Sequence, residues 1–170
     1  ITSTGDGSIT VLIATSGVPG ETVELPALES VIRVRRIWKD ALGNPIWANT
    51  PVNAGDLITV DLSIVSTDGS TWEDVAVLDV LPGGMEFELP SLATSAGAKN
   101  VKMADVDRVE FRDDRVVAFL TVNGKIQHIK YVLRAVVPGE FAVPAVDALA
   151  MYDPDGHGRS KASRVRITLP

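Results

Sequence analysis

The chain has 170 residues, 45% of them hydrophobic and 22% charged, with a net charge of −6 and no cysteine. A chain of this size buries about 70% of its unfolded surface as one domain and needs no disulfide staple. The missing cysteine excludes disulfides, thiolate metal sites and a cysteine nucleophile. The acidic balance argues against nonspecific nucleic-acid binding, which rests on phosphate neutralisation by excess Lys and Arg.

The longest uninterrupted apolar run is Val116 to Leu120. A membrane span needs roughly 20 such residues, so no membrane contact is expected of this chain. Ile1 is preceded by no initiator Met and followed by no signal segment, so the chain reads as an excerpt of a longer polypeptide.

Residues 1–7 are flexible by composition, and Ser8 to Thr15 alternates as a strand before a Gly- and Pro-containing loop. Residues 1–28 read either as the tail of a preceding domain or as a leading edge strand. Residues 29–170 form the main domain. Val31 to Trp38 places Ile32, Val34 and Trp38 on one side and Arg33 and Arg35 on the other. Turns follow at Asp40 to Pro45 and Val52 to Asp56. Leu57 to Ser66 points Ile58, Val60, Leu62 and Ile64 inward, and Thr59, Asp61 and Ser63 outward. Asp68-Gly69-Ser70 turns the chain. Val75 to Leu81 is a strand ended by Pro82-Gly83-Gly84, and Pro90 to Asp105 is a long aperiodic loop.

Arg108 to Val137 reads as a three-stranded meander. Asp113-Asp114 and Asn123-Gly124 break it, and Asn-Gly is the strongest short hairpin signal. Its last strand turns Ile129, Tyr131, Leu133, Ala135 and Val137 inward. Glu140 to Val146, interrupted by Pro144, suits an edge strand. Ala148 to Tyr152, a turn at Asp153 to Gly158, and a final strand with Val165, Ile167 and Leu169 complete the chain. The expected fold is all-β: an antiparallel two-sheet sandwich of about seven strands, immunoglobulin-like in layout.

Reactive groups are sparse. His128 falls at a polar strand position with no Gly-x-Ser-x-Gly elbow, and a general base needs a placed partner. No catalytic residue is expected. Asp153-Pro154-Asp155-Gly156-His157 spaces oxygens as a calcium loop does, but Arg164 stands where the bidentate Glu belongs. It reads as a turn, and neither metal nor cofactor is expected. Arg33, Arg35, Arg36 and Lys39, and again Arg159, Lys161, Arg164 and Arg166, form basic rows. These suit solvated strand faces or a docking patch for an acidic neighbour. Trp38 is in phase with core residues, whereas Trp47 and Trp72 sit near turns as lids or interface anchors.

Three stretches carry a resemblance: VDLSIVSTDGSTWEDVAVLDVLPGGMEFELPSL (60–92), VEFRDDRVVAFL (109–120) and YVLRAVVPGEFAVPAVDALAMYDPDGHGRS (131–160). In this order they resemble the C-terminal macroglobulin-like domain of bacterial alpha-2-macroglobulins over residues 29–170. Gly17-Val18-Pro19-Gly20 resembles the chain entering that domain. The resemblance implies a non-catalytic part of a broad-spectrum protease trap in the bacterial periplasm or cell envelope. Its partners would be neighbouring domains of the same chain, above all a thioester domain, and target proteases through the full-length protein. The implied task is to shield the thioester from water until a bait region is cleaved. Tyr152, with Met151, is the implied shield; Asp153, Pro154 and Trp47 are the implied interdomain rim. Gly156-His157-Gly158 departs from the family pattern and is expected to loosen the turn after Tyr152. The alternative is a generic immunoglobulin-like module of a bacterial surface adhesin or stalk protein.

Overall fold

The computed structural model describes residues 26–47, 50–88 and 106–170, with isolated positions 4, 6, 10, 12 and 14. The strand expected at Ser8 to Thr15 and the loop expected at Pro90 to Asp105 lie outside the described stretches.

The described residues form thirteen strands and no helix. They are β1 (Ile32–Lys39), β2 (Pro45–Ile46), β3 (Val52–Asn53), β4 (Leu57–Ser66), β5 (Trp72–Val80), β6 (Met85–Phe87), β7 (Arg108–Arg112), β8 (Arg115–Val122), β9 (Gln127–Ala135), β10 (Gly139–Val143), β11 (Asp147–Ala150), β12 (His157–Arg159) and β13 (Ser163–Thr168). One sheet runs β2-β1-β4-β9-β6 and a second β12-β11-β5-β8-β7; β10-β13-β3 make a small third. All pairings are antiparallel except the two-residue contact of β13 with β3. The all-β sandwich is therefore as the sequence implies. The strand count rises from about seven to thirteen because edges are cut into two- and three-residue pieces such as β2, β3 and β12.

The core lies between the layers. Ile58, Val60, Leu62 and Ile64 of β4 are fully buried, as their spacing predicts, and meet Val75, Val77, Val116, Leu120, Ile129 and Leu133. Val143, Val165 and Ile167 bring the third sheet to the same core. The Pro82-Gly83-Gly84 break has a packing reason. Gly84 sits at φ +78 against the Phe141 ring, where a Cβ would stand 2.5 Å from Cε2. Its carbonyl accepts the Val136 N–H at 2.8 Å.

Three expectations need correction. β7 and β8 do pair, but β9 does not join them: it crosses to the other sheet, between β4 and β6. Asn123-Gly124 is thus a sheet-to-sheet crossing. Gly124 is not among the glycines of positive φ, so no type I′ turn forms. Instead the Asn123 side chain accepts the Lys125 N–H at 2.8 Å, and its carbonyl accepts Ser66 N–H at 2.8 Å. Secondly, Val137 lies beyond the end of β9 and is 53% exposed. Thirdly, Arg36 is not on the outer basic face. It shares parity with Val34 and Trp38 and points into the sandwich.

Candidate functional site

Met151 and Tyr152 form the tip of the connection between β11 and β12. Tyr152 is 83% exposed and Met151 44%. Backbone bonds fix the tip: Ala150 N–H to Gly156 O at 2.7 Å, Gly156 N–H to Asp153 O at 3.1 Å, and His157 N–H to Asp155 O at 3.1 Å. The Asp153 carboxylate accepts the Asp155 N–H at 3.1 Å, an Asx turn. Met151 N–H still reaches the neighbouring strand, donating to Asp74 O at 3.1 Å. Asp74 stands at φ 51 within a bulge of β5 between Trp72 and Val75. Bulges of this kind re-aim the backbone near functional sites.

The glycines after Tyr152 do not loosen this turn. Gly156 and Gly158 are buried. A Cβ on Gly156 would stand 2.5 Å from the Trp72 ring, and one on Gly158 would stand 1.8 Å from the Ile32 carbonyl oxygen. Both are glycine because backbone packs directly on a ring or on backbone. Trp72 therefore buttresses the turn from beneath, while Tyr152 projects above it.

Asp153 and Pro154 are exposed in the same turn. A cleft beside it is lined by Asp68, Glu73, Asp74, Tyr152, Asp153 and Asp155 among others, and no cation is in its lining. Trp47 is not part of this constellation. It is 73% exposed and lines a different, apolar groove with Trp38, Val143 and Val165.

Two polar clusters away from this turn are tied into the scaffold. Arg36 Nη1 donates to Asp79 Oδ1 at 2.6 Å and Nη2 to the Pro144 carbonyl at 2.7 Å. Tyr131 Oη donates to Asp79 Oδ2 at 2.5 Å. Asp79 is 1% exposed, and this triad ties β1 and β9 of one sheet to β5 of the other. Burial pushes the Asp79 carboxyl above its usual range against the pull of Arg36 and Tyr131. It also pushes the Tyr131 phenol up, with the Asp79 charge adding to the shift. The sequence reading took Arg36 for surface and passed over Asp79. Parity was the available signal, since Asp79 is in phase with Val75 and Val77.

On the outer face of β4, Asp61 is only 6% exposed. His128 Nδ1 lies 2.8 Å away, Lys39 Nζ 2.9 Å and Lys130 Nζ 3.5 Å. Burial works to raise the Asp61 carboxyl, but these three partners outweigh it and hold it below the ordinary aspartate range. His128 is thus spoken for by a structural carboxylate. Arg33 pairs with Glu29 at 3.1 Å, and Arg166 Nε donates to Glu140 at 2.9 Å.

The described residues form a β-sandwich that holds the Tyr152 side chain out on a turn fixed by backbone hydrogen bonds. The family model described as "Bacterial Alpha-2-macroglobulin MG10 domain" matches residues 32–155. The chain belongs to this family. It is 30% identical over 153 residues to an alpha-2-macroglobulin of Xylella fastidiosa, a match covering 83% of this chain and 9% of that protein. It is 28% identical to the alpha-2-macroglobulin of Escherichia coli K12 over the whole of this chain and 11% of that protein. The solved structure of Escherichia coli alpha-2-macroglobulin activated by porcine elastase superimposes with a TM-score of 0.74 at 26% identity, covering 85% of this chain and 14% of that one. The chain thus spans about a tenth of the curated relatives it matches. The family match sets aside the adhesin-module alternative.

Proposed function

We propose that this domain is a non-catalytic part of an alpha-2-macroglobulin-type protease trap of the bacterial periplasm or cell envelope. It stands at the C-terminal end of the trap, packs against the thioester domain and keeps that bond dry until bait cleavage. The observation that carries the reading is the exposed Met151–Tyr152 tip held above the buttressing Trp72. Family membership and a relative described as activated by a protease support it.

The physical requirement is exclusion of water from a reactive carbonyl. A broad, stiff aromatic ring meets it. A tyrosine buries about 150–250 Å², worth at most about 4–6 kcal/mol at about 25 cal/mol per Å², and domain contacts return less than that. Such a contact holds in the resting state and yields to a large rearrangement. Asp153 and Pro154 form the rim beside the ring. Trp47, in its own groove, is a separate contact point.

The test is the lifetime of the thioester in the full-length protein. Tyr152→Ala is expected to speed its hydrolysis in the absence of protease by about tenfold or more, which corresponds to about 1.4 kcal/mol of lost shielding. Tyr152→Phe is expected to leave it within about twofold of wild type, because the ring and not the hydroxyl excludes water. An unchanged lifetime in Tyr152→Ala removes the role.

A further inference from the structure

An asparagine side chain can be attacked by the backbone nitrogen of the residue that follows it. The attack needs a nitrogen free of other bonds, no bulk beside it, and a polarised side-chain carbonyl. Holding attacker and target together on one chain makes the step intramolecular. Three asparagines among the described residues meet these conditions to different degrees: Asn44, Asn53 and Asn123. Asn44 precedes Pro45, whose nitrogen has no hydrogen to give up. Asn53 precedes Ala54, whose N–H is spent on the Thr168 carbonyl at 2.8 Å, and its own Oδ1 accepts the Thr168 hydroxyl at 3.0 Å.

Asn123 differs on each count. Gly124 follows it, exposed and without a Cβ to hinder approach. The Gly124 N–H donates to no group among the described residues. Asn123 Oδ1 accepts the Lys125 N–H at 2.8 Å, which closes the side chain over the Gly124 peptide. The same bond sets a donor where negative charge develops on attack, as an oxyanion hole does. The Asn123 backbone carbonyl is fixed as well, accepting the Ser66 N–H at 2.8 Å. The sheet-to-sheet crossing is what creates this arrangement. A hairpin turn over Asn123-Gly124 would give the Lys125 N–H to the Val122 carbonyl. The crossing leaves it for the side chain.

We infer that Asn123 is a deamidation site activated by the crossing from β8 to β9. The Gly124 nitrogen loses its proton to a solvent base and bonds to Asn123 Cγ. The electron pair moves onto Oδ1, facing the Lys125 N–H. Its return breaks the Cγ–Nδ2 bond, and Nδ2 takes a proton from solvent and leaves as ammonia. Water then opens the cyclic imide. Opening at Cγ leaves aspartate at this position. Opening at the main-chain carbonyl leaves isoaspartate, which routes the chain through an extra carbon and turns the acceptor of the Ser66 N–H into a carboxylate. Either product adds a negative charge where the chain passes between the sheets.

The test is peptide mapping by mass spectrometry of the full-length protein during incubation in neutral buffer. A synthetic peptide of residues 119–127 under the same conditions is the unfolded reference. Asn123 is expected to convert to aspartate and isoaspartate at least as fast in the protein as in the peptide, while Asn44 and Asn53 stay intact. Gly124→Ala, whose methyl displaces the attacking nitrogen, is expected to slow the conversion by about tenfold or more. Conversion slower in the protein than in the peptide overturns the inference, because the fold would then protect the bond. So does a Gly124→Ala protein that converts as fast as wild type, or an Asn53 that converts as fast as Asn123.

Discussion

Asp79 is the residue on which the sandwich interior is least forgiving. Its carboxylate is buried, and it is tolerated there because Arg36 and Tyr131 both donate to it. Removing one member of a buried pair leaves an uncompensated charge, at a cost of about 3–5 kcal/mol. Arg36→Met is therefore expected to lower the unfolding free energy by about that amount. Tyr131→Phe, which strips one donor from Asp79, is expected to lose about 1–3 kcal/mol. The triple variant R36M/D79L/Y131F, which removes every charge and the orphaned hydroxyl, should recover at least half of the Arg36→Met loss, since well-packed apolar replacements of buried ion pairs are often neutral. Urea melts with unchanged slope would measure all three. A triple variant no more stable than Arg36→Met would contradict the charge-burial account.

At the level of strands, β4 is the element most completely written in the sequence: its bounds and its inward set were legible from alternation alone. Legibility failed where a local signal had to predict a partner. Asn123-Gly124 looks like a hairpin turn, but whether β9 folds back on β8 or crosses the core is decided by which sheet edge needs Ile129, Tyr131 and Leu133. No two-residue motif encodes that choice. The Tyr152 tip was legible only through family resemblance, because an exposed aromatic on a turn has no periodicity. Asp61 illustrates a finer limit. Parity correctly put it on the outer side of β4, yet Lys39, His128 and Lys130 close over it there. Because its carboxyl is held low when folded, its stabilising effect is complete above the unfolded value of about 3.9 and is lost as pH falls through the folded value. The stability gap between wild type and Asp61→Asn is thus expected to shrink steadily as pH falls below about 4. Denaturant melts across that range would measure it. A gap that widened as pH fell from about 4 to about 2 would reverse the assignment.

For the whole molecule, the decisive place is the edge where the two large sheets meet. β12 belongs to one sheet and β1 to the other, and they touch through bare backbone at Gly158 and Ile32. Leu28 reinforces the same edge, exchanging N–H to O bonds of 2.9 Å with Arg159 in both directions. A methyl on Gly158 would meet a carbonyl oxygen that cannot rotate away, so the sheets themselves must separate. Overpacking of this kind typically costs about 1–3 kcal/mol, and more when backbone must move. Gly158→Ala is expected at or above the top of that range, lowering Tm by about 6–12 °C at about 2–4 °C per kcal/mol for a chain this long. Because β12 also anchors the far side of the Tyr152 turn, the shielding role proposed above requires that the same change speed resting thioester hydrolysis in the full-length protein. Gly124→Ala is the matched control. Its nearest atom would be the Gly69 Cα at 3.8 Å and its φ is not positive. It should shift Tm by no more than about 1–2 °C, consistent with the small effect of surface substitutions. Paired thermal melts of the two variants decide the matter. Equal losses would mean that Asn123-Gly124 is a strained hairpin after all and that the sheets do not close through Gly158.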